Sequence, residues 1–100
     1  MSFHKGKFYI AKVDNSYELK TGWIDETKSY GFHKIQKKNT TTILKWVCTD
    51  LKSGLEICAA RTRKECCEWV LKNQEAIEMQ RNKNEYNKYA DKLKETERSL

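Results

Sequence analysis

The feature that most constrains the fold is a change in sequence pattern near Arg61. Before it, short β-branched and aromatic runs alternate with Gly, Asn and Ser, which is typical of strands joined by turns. After it, the sequence contains neither Gly nor Pro, and apolar side chains recur at helical spacing. The pattern predicts an α+β fold, in which an antiparallel sheet of four to five strands, arranged as β-hairpins, is packed by one long C-terminal helix.

The strands are predicted from the alternation of their side chains. Every second residue from Tyr17 to Trp23 is apolar or threonine, as expected for a strand with one buried face. Residues 14–16 and Gly54 supply the side chains and the backbone freedom that tight turns need. The predicted strands span residues 8–13, 17–25, 32–37, 41–49 and 55–59.

The C-terminal helix is predicted to begin at a capping box. Thr62 precedes Glu65 by three residues, so its hydroxyl can accept a hydrogen bond from the Glu65 amide. One helix over 63–98 would be on the order of 50 Å long, about twice what a small sheet can cover. Residues 1–80 are therefore predicted to form one globular domain, and 81–100 a helical extension that projects, folds back or packs on a partner. The predicted sheet-facing residues are Cys66, Trp69, Val70, Asn73 and Ile77.

A second apolar stripe is predicted along the distal part of this helix. It is formed by Tyr86, Tyr89, Ala90 and Leu93. Because the first half of the helix would already cover the sheet, we expect the stripe on its distal half to be exposed. It would then contact another protein or a second copy of the chain. Tyr86, Tyr89 and Leu93 are the predicted contacts for a protein partner or a homodimer. The alternative is a solvated helix held by its mixed charges.

Three tryptophans come from three different predicted elements. Trp23 and Trp46 lie on the apolar faces of two strands, and Trp69 lies on the apolar stripe of the helix. Large aromatic side chains contribute most of the buried area of small cores. We therefore expect the three rings to share one core.

The positive charge is concentrated in the predicted sheet. The net charge is +6, and most of the excess precedes Arg61. Such an imbalance favours nucleic acid or an acidic protein surface as a partner. Tyr30, Phe32 and His33 could stack on unpaired bases. An alternative is that the lysines protect strand edges against aggregation. The predicted phosphate or acidic-partner contacts are Lys34, Lys37, Lys38 and Lys45, with Tyr30 and His33 beside them.

No pattern in the sequence indicates catalysis. Its two histidines, His4 and His33, belong to no predicted catalytic cluster, and there is no glycine-rich phosphate loop or HExxH motif. A zinc site built from Cys48, Cys58, a helical cysteine and His33 would not match the spacing of standard zinc motifs. We expect a non-enzymatic protein without a catalytic residue, metal or cofactor.

The cysteines and the apolar runs predict a cytoplasmic protein. The sequence shows no secretory signal, so its four cysteines are interpreted as reduced thiols. Apolar runs are only a few residues long, far below the roughly 20 that a membrane span needs. We expect no membrane partner.

Two resemblances bear on function. Residues 46–50, Gly54 and 61–65 resemble the arm-binding domains of tyrosine integrases, in which a three-stranded sheet precedes a helix. This resemblance implies DNA binding through the sheet face. In length and amino-acid composition the chain also resembles small proteins of phages and mobile elements of low-GC bacteria. Proteins of that kind frequently bind and inhibit protein complexes of the host, including CRISPR nucleases.

Together these features predict a small non-enzymatic binding protein. The first expectation is an accessory or inhibitor protein that docks on a nucleic-acid-handling complex, as in anti-CRISPR-like inhibition of a host nuclease. The second is a protein that binds DNA or RNA directly through a lysine-rich sheet face.

Overall fold

The computed structural model describes residues 2–35 and 46–98, and within them it confirms an α+β fold. Five antiparallel strands form one sheet in the order in which they follow along the chain. Three helices come after the strands. The elements are β1 (Phe3–Ala11), β2 (Tyr17–Asp25), β3 (Tyr30–Lys34), β4 (Trp46–Asp50), β5 (Glu56–Ala60), α1 (Arg63–Lys72), α2 (Gln74–Arg81) and α3 (Asn84–Arg98).

The first hairpin is longer than the sequence pattern predicted. β1 begins at Phe3 rather than at residue 8, because β2 is long enough to pair with it over its whole length. The turn forms as expected from its short polar side chains. The Ser16 amide donates to Asp14 Oδ1 at 3.1 Å, and Asn15 takes a positive φ of 66°.

The sheet is curled, so that its first strand meets its last hairpin. The Ala11 amide donates to the carbonyl of Gly54 at 2.8 Å, and Gly54 has a φ of 78°, which favours glycine. Inside the curl, the ring of Phe8 is buried. A Cβ atom at Gly31 would lie 2.8 Å from that ring, so glycine is needed there for the ring to fit.

The main core lies between the sheet and the helices, on the face of the sheet opposite to Phe8. Tyr30, Phe32 and Cys48 from the sheet pack with Cys66, Val70 and Ile77 from the helices, and Trp23 and Trp46 pack against them. The prediction of a shared core is therefore confirmed for two tryptophans and wrong for Trp69, which is 40% exposed. Val70 occupies the position facing the sheet, so Trp69, about 100° around the helix, faces sideways.

The predicted long helix is interrupted twice. Its start is confirmed, since Thr62 Oγ1 accepts a hydrogen bond from the Glu65 amide at 3.1 Å. Asn73 Nδ2 donates to the carbonyl of Trp69 at 2.7 Å, so a side-chain amide takes up a carbonyl near the end of α1. The second interruption falls at residues 82–83, between α2 and α3. The C-terminal helical region is therefore divided into three helices, and the predicted alternative in which the distal part folds back is the one observed.

α3 folds back onto the rest of the chain. Tyr86 and Leu93 are buried, at 7% and 2% exposed, and Ala90 is also buried. The Tyr17 hydroxyl donates to the carbonyl of Tyr89 at 2.9 Å. The prediction of an exposed stripe is wrong, because the break before α3 lets its apolar side pack within the same subunit. Tyr86 and Leu93 are thus covered within the subunit, whereas Tyr89 is half-buried and its backbone carbonyl accepts the hydrogen bond from Tyr17. A contact of this segment with a partner or a second copy stays a prediction.

None of the helices in residues 2–35 and 46–98 is both long and apolar enough to cross a bilayer.

Candidate functional site

The predicted lysine cluster is only partly described by the structure. Lys34 is exposed at the end of β3, directly opposite Trp46 of β4. Lys37, Lys38 and Lys45 lie outside the described residues. Their role as phosphate contacts stays a prediction.

The aromatic residues predicted to stack on bases are buried. Tyr30 is 6% exposed, His33 is 8% exposed and Phe32 is fully buried, so the predicted stacking surface is wrong. The reason is that β3 lies at the centre of the sheet, with both faces covered. The guanidinium of Arg81 also lies over the Tyr30 ring, with its Cζ 5.5 Å from the ring centroid.

His33 is instead a buried titratable group. Its ring lies 6.0 Å from the Phe8 ring inside the curl, and its Nδ1 has no hydrogen-bond partner among the described residues. Burial lowers the pKa of His33 below its usual 6.5, Lys20 lowers it further, and Glu18 partly opposes them. The folded state therefore resists protonation of this ring.

The pH dependence of stability tests this environment. Below pH 6.5 the unfolded chain binds a proton at His33 that the folded chain does not, so the free energy of unfolding should fall as pH decreases from 7 to 5. His33→Gln should show a shallower decrease in urea unfolding over the same range. His4 is present in both proteins and cancels in the comparison. Equal slopes would contradict the burial of a neutral His33.

A groove beside the start of α1 combines aromatic and basic side chains. We call it the aromatic–basic groove, and its volume is about 650 Å³. Glu68 and Cys67 also border it. It is defined by Phe3, Trp23, Trp46, Arg63, Lys64 and Leu71.

Arg63 is the centre of this groove. Its guanidinium carbon lies 4.8 Å from the centroid of the Phe3 ring and 5.1 Å from that of Trp23. Contacts of this kind are cation–π interactions, worth about 0.5–1 kcal/mol at exposed sites. The cap at Thr62 fixes the first residue of α1, and pairing of β1 with β2 brings Phe3 and Trp23 to the same place. The groove therefore offers flat rings together with a positioned positive charge.

A second cavity lies between the β4–β5 hairpin and the helices. We call it the helix cavity, and its volume is about 430 Å³. Asp50 and Arg81 form an ion pair in its wall, with Oδ1 and Nη2 3.0 Å apart. The other carboxylate oxygen accepts hydrogen bonds from the amide and hydroxyl of Ser53. Burial raises the pKa of the neighbouring Tyr86, and Asp50 raises it further, so the phenol stays protonated.

The cysteines are free thiols. A hydrogen bond with Cys48 raises the pKa of Cys58 to about 12, and a hydrogen bond with Cys58 together with burial raises that of Cys66. Thiols of this kind are poor nucleophiles, because the thiolate is the reactive form. The described part of the chain contains no group of three or more His, Cys, Asp or Glu side chains arranged to hold a metal ion.

No protein-family model, curated protein or solved structure gave a significant match to this chain. Assignment of the site therefore rests on geometry alone. The sequence does not predict the aromatic–basic groove, although Trp23 and Trp46 are predicted core residues and Arg63 belongs to the predicted capping box. Phe3 lies outside the first predicted strand, residues 8–13, so the sequence pattern does not bring it to the groove.

Proposed function

We propose that this chain is a non-enzymatic binding protein that docks on a nucleic-acid-handling complex through the aromatic–basic groove. Inhibition of a host nuclease is one form that this function would take. The proposal places the protein in the cytoplasm, in keeping with its free thiols.

The observation that supports docking is the stack of Arg63 on Phe3 and Trp23. Tryptophan and arginine are enriched among the residues that dominate the energy of protein interfaces. Leu71 extends the groove with an apolar side chain that is 61% exposed. A mixed apolar and basic surface is complementary to an acidic, partly apolar protein face.

The second candidate function is direct binding of single-stranded DNA or RNA at the same groove. It is supported by the exposed Lys34 opposite Trp46, which adds a charge beside a ring. Bases stack on aromatic side chains while lysines contact phosphates. Lys37, Lys38 and Lys45 would extend this contact as predicted from the sequence.

Reversing the charge of Arg63 tests the groove. Arg63→Glu should abolish capture of nucleic-acid-handling proteins from a nuclease-treated lysate of the native host, as read by mass spectrometry. The helix should persist, because a glutamate in the first turn suits the helix dipole. Arg61→Glu makes the same change of charge at an exposed residue outside the groove and should leave capture intact. Loss of capture in both variants, or in neither, would contradict docking through this groove.

Titration with a fluorescent single-stranded oligonucleotide separates the two functions. Direct binding should raise fluorescence anisotropy at low salt and weaken steeply as salt increases. Arg63→Glu should remove that signal, while Arg61→Glu should reduce it only modestly. No anisotropy change at low salt would exclude the second candidate.

A further inference from the structure

The outer edge of β1 has no neighbouring strand in the described part of the chain along most of its length. β1 is the first strand of the sheet and pairs with β2 in one continuous register. At the end of this pairing, the Lys12 amide donates to the Ser16 carbonyl at 2.9 Å, whereas the Ala11 amide donates to Gly54 on the other side. Because successive residues of a strand turn their backbone groups to opposite sides, the odd-numbered residues of β1 face away from β2.

The open part of this edge runs from Phe3 to Tyr9. Its outward backbone groups are the amides and carbonyls of Phe3, Lys5, Lys7 and Tyr9. None of these groups has a hydrogen-bond partner within residues 2–35 and 46–98. The bond from Ala11 closes the edge beyond Tyr9. A row of unpaired backbone groups is a template for a further strand, and many proteins bind an extended peptide in this way.

The side chains of the open edge carry positive charge. Lys5 and Lys7 are exposed, and β1 contains no acidic residue. Their cross-strand neighbours on β2 are Trp23 and Thr21, which are uncharged. A strand added beside β1 would place its side chains about 5 Å from the two lysines, where opposite charges stabilise pairing and like charges destabilise it. The edge therefore favours an acidic segment.

The lysines also disfavour a second copy of β1 as the added strand. Two copies of β1 paired symmetrically along the open edge would place Lys5 of one copy opposite Lys7 of the other. Each such pairing would bring like charges together and lose stability. The occupant is therefore a segment of a different protein.

The open edge is continuous with the aromatic–basic groove. It begins at Phe3, whose ring lies beneath the Arg63 guanidinium in that groove. Glu68 also borders the groove, where two basic residues outnumber it. Asp25 and Glu26, next to the start of β1, already accept hydrogen bonds from backbone amides. One acidic segment can therefore pair with β1 and also reach the positive charge of Arg63.

We propose that the partner adds an extended acidic segment to the sheet as a strand beside β1. Carboxylates on alternate residues of that segment would lie next to Lys5 and Lys7, and an apolar side chain would enter the aromatic–basic groove beside Phe3. Backbone pairing supplies affinity in this mode of recognition, and the alternating side chains supply specificity. The inference rests on the proposed docking function and identifies the part of the partner that binds.

A designed peptide tests strand addition to the native chain. In a seven-residue probe labelled with fluorescein, leucine, glutamate, glutamate and leucine occupy the odd positions and threonine the even ones, which matches the open edge in either direction. Fluorescence anisotropy should rise to saturation as protein is added, and lysine in place of glutamate should remove the response. No response to the glutamate peptide, or an equal response to the lysine peptide, would overturn the proposal.

Methylation of the peptide amides separates backbone pairing from attraction of charge. One probe is N-methylated at its odd positions and another at its even ones. Because only one row of amides can face β1, one probe should bind like the unmodified peptide and the other roughly tenfold or more weakly. Retention of affinity in both probes, or loss in both, would overturn strand addition.

Lys7 provides the matched test on the protein. Lys7→Ala and Lys7→Pro both remove the charge, but only proline removes the outward amide, and proline is tolerated on edge strands where that amide faces solvent. The peptide should bind roughly fivefold more weakly to Lys7→Pro than to Lys7→Ala, the effect of one hydrogen bond. Circular dichroism checks that both variants fold, and the methylated probes on the native chain decide the question if the proline variant does not. Equal affinities in two folded variants would overturn the proposal.

Comparison with Arg63→Glu distinguishes this inference from docking itself. If Arg63→Glu abolishes capture while the native chain fails to bind the peptide, strand addition is overturned and docking through the groove stands. Peptide binding with the expected loss in Lys7→Pro, but unchanged capture in Arg63→Glu, would support pairing at β1 and contradict docking through the groove. Displacement of the bound peptide by a single-stranded oligonucleotide at a lower concentration than by unlabelled peptide would assign the edge to nucleic acid and overturn the proposal.

Discussion

Leu93→Ala is expected to destabilise the protein by about 2–5 kcal/mol, as measured by urea unfolding followed by circular dichroism. The side chain is 2% exposed in α3, and the smaller residue would leave a cavity where that helix packs back on the chain. A domain of this size has a total stability of about 5–15 kcal/mol, so the loss would be a large part of it.

Leu71→Ala provides the matched control for Leu93→Ala. Leu71 is the same residue type, also helical, but 61% exposed. Its replacement should change the free energy of unfolding by less than about 0.5 kcal/mol, the usual range for surface positions. Similar small losses in both variants would contradict the folded-back position of α3.

Asp25→Ala is expected to destabilise the protein by about 3–5 kcal/mol, because it leaves several buried donors without partners. The Asp25 side chain is 1% exposed and accepts hydrogen bonds from the Ser29 and Tyr30 amides, each at 2.9 Å. Its other oxygen accepts from the amide and hydroxyl of Thr27. This one carboxylate therefore organises the turn between β2 and β3, and chemical unfolding measures its contribution.

The pH dependence gives a second measurement of Asp25. Burial alone would raise its pKa, but the hydrogen bonds from Thr27, Tyr30 and Ser29 outweigh burial and lower it. The carboxylate thus stabilises the fold above its usual pKa of 3.8, and that stability is lost as the pH falls through the lower pKa of the folded state. The difference between the native chain and Asp25→Ala should shrink accordingly.

Asp14→Ala is the control for Asp25→Ala. Asp14 also accepts hydrogen bonds from a residue in its own turn, the amide and hydroxyl of Ser16. It is exposed, so water can replace the lost carboxylate. A loss as large as that of Asp25→Ala would show that burial is not what makes Asp25 important.

The strands and the start of the first helix could be predicted from the sequence. All five strands overlap the predicted regions, although β1 begins five residues and β3 two residues earlier than predicted. The overlap arises because alternating side chains and short polar turns act between near neighbours. The cap at Thr62 was likewise predicted, since it involves residues three apart. The break at Asn73 was missed, although a side-chain amide that can bond the carbonyl of Trp69 four residues back was present in the sequence.

The sequence by itself determined the α+β class, the hairpins, the helix start and an apolar side on the distal segment. Only the tertiary structure decided that this apolar side closes on its own subunit, that Trp69 faces outward, and that Arg63 stacks on Phe3 and Trp23. The physical reason is the range of the forces involved. Periodicity and capping depend on residues a few positions apart, whereas a groove or cavity depends on the angles at which distant elements meet.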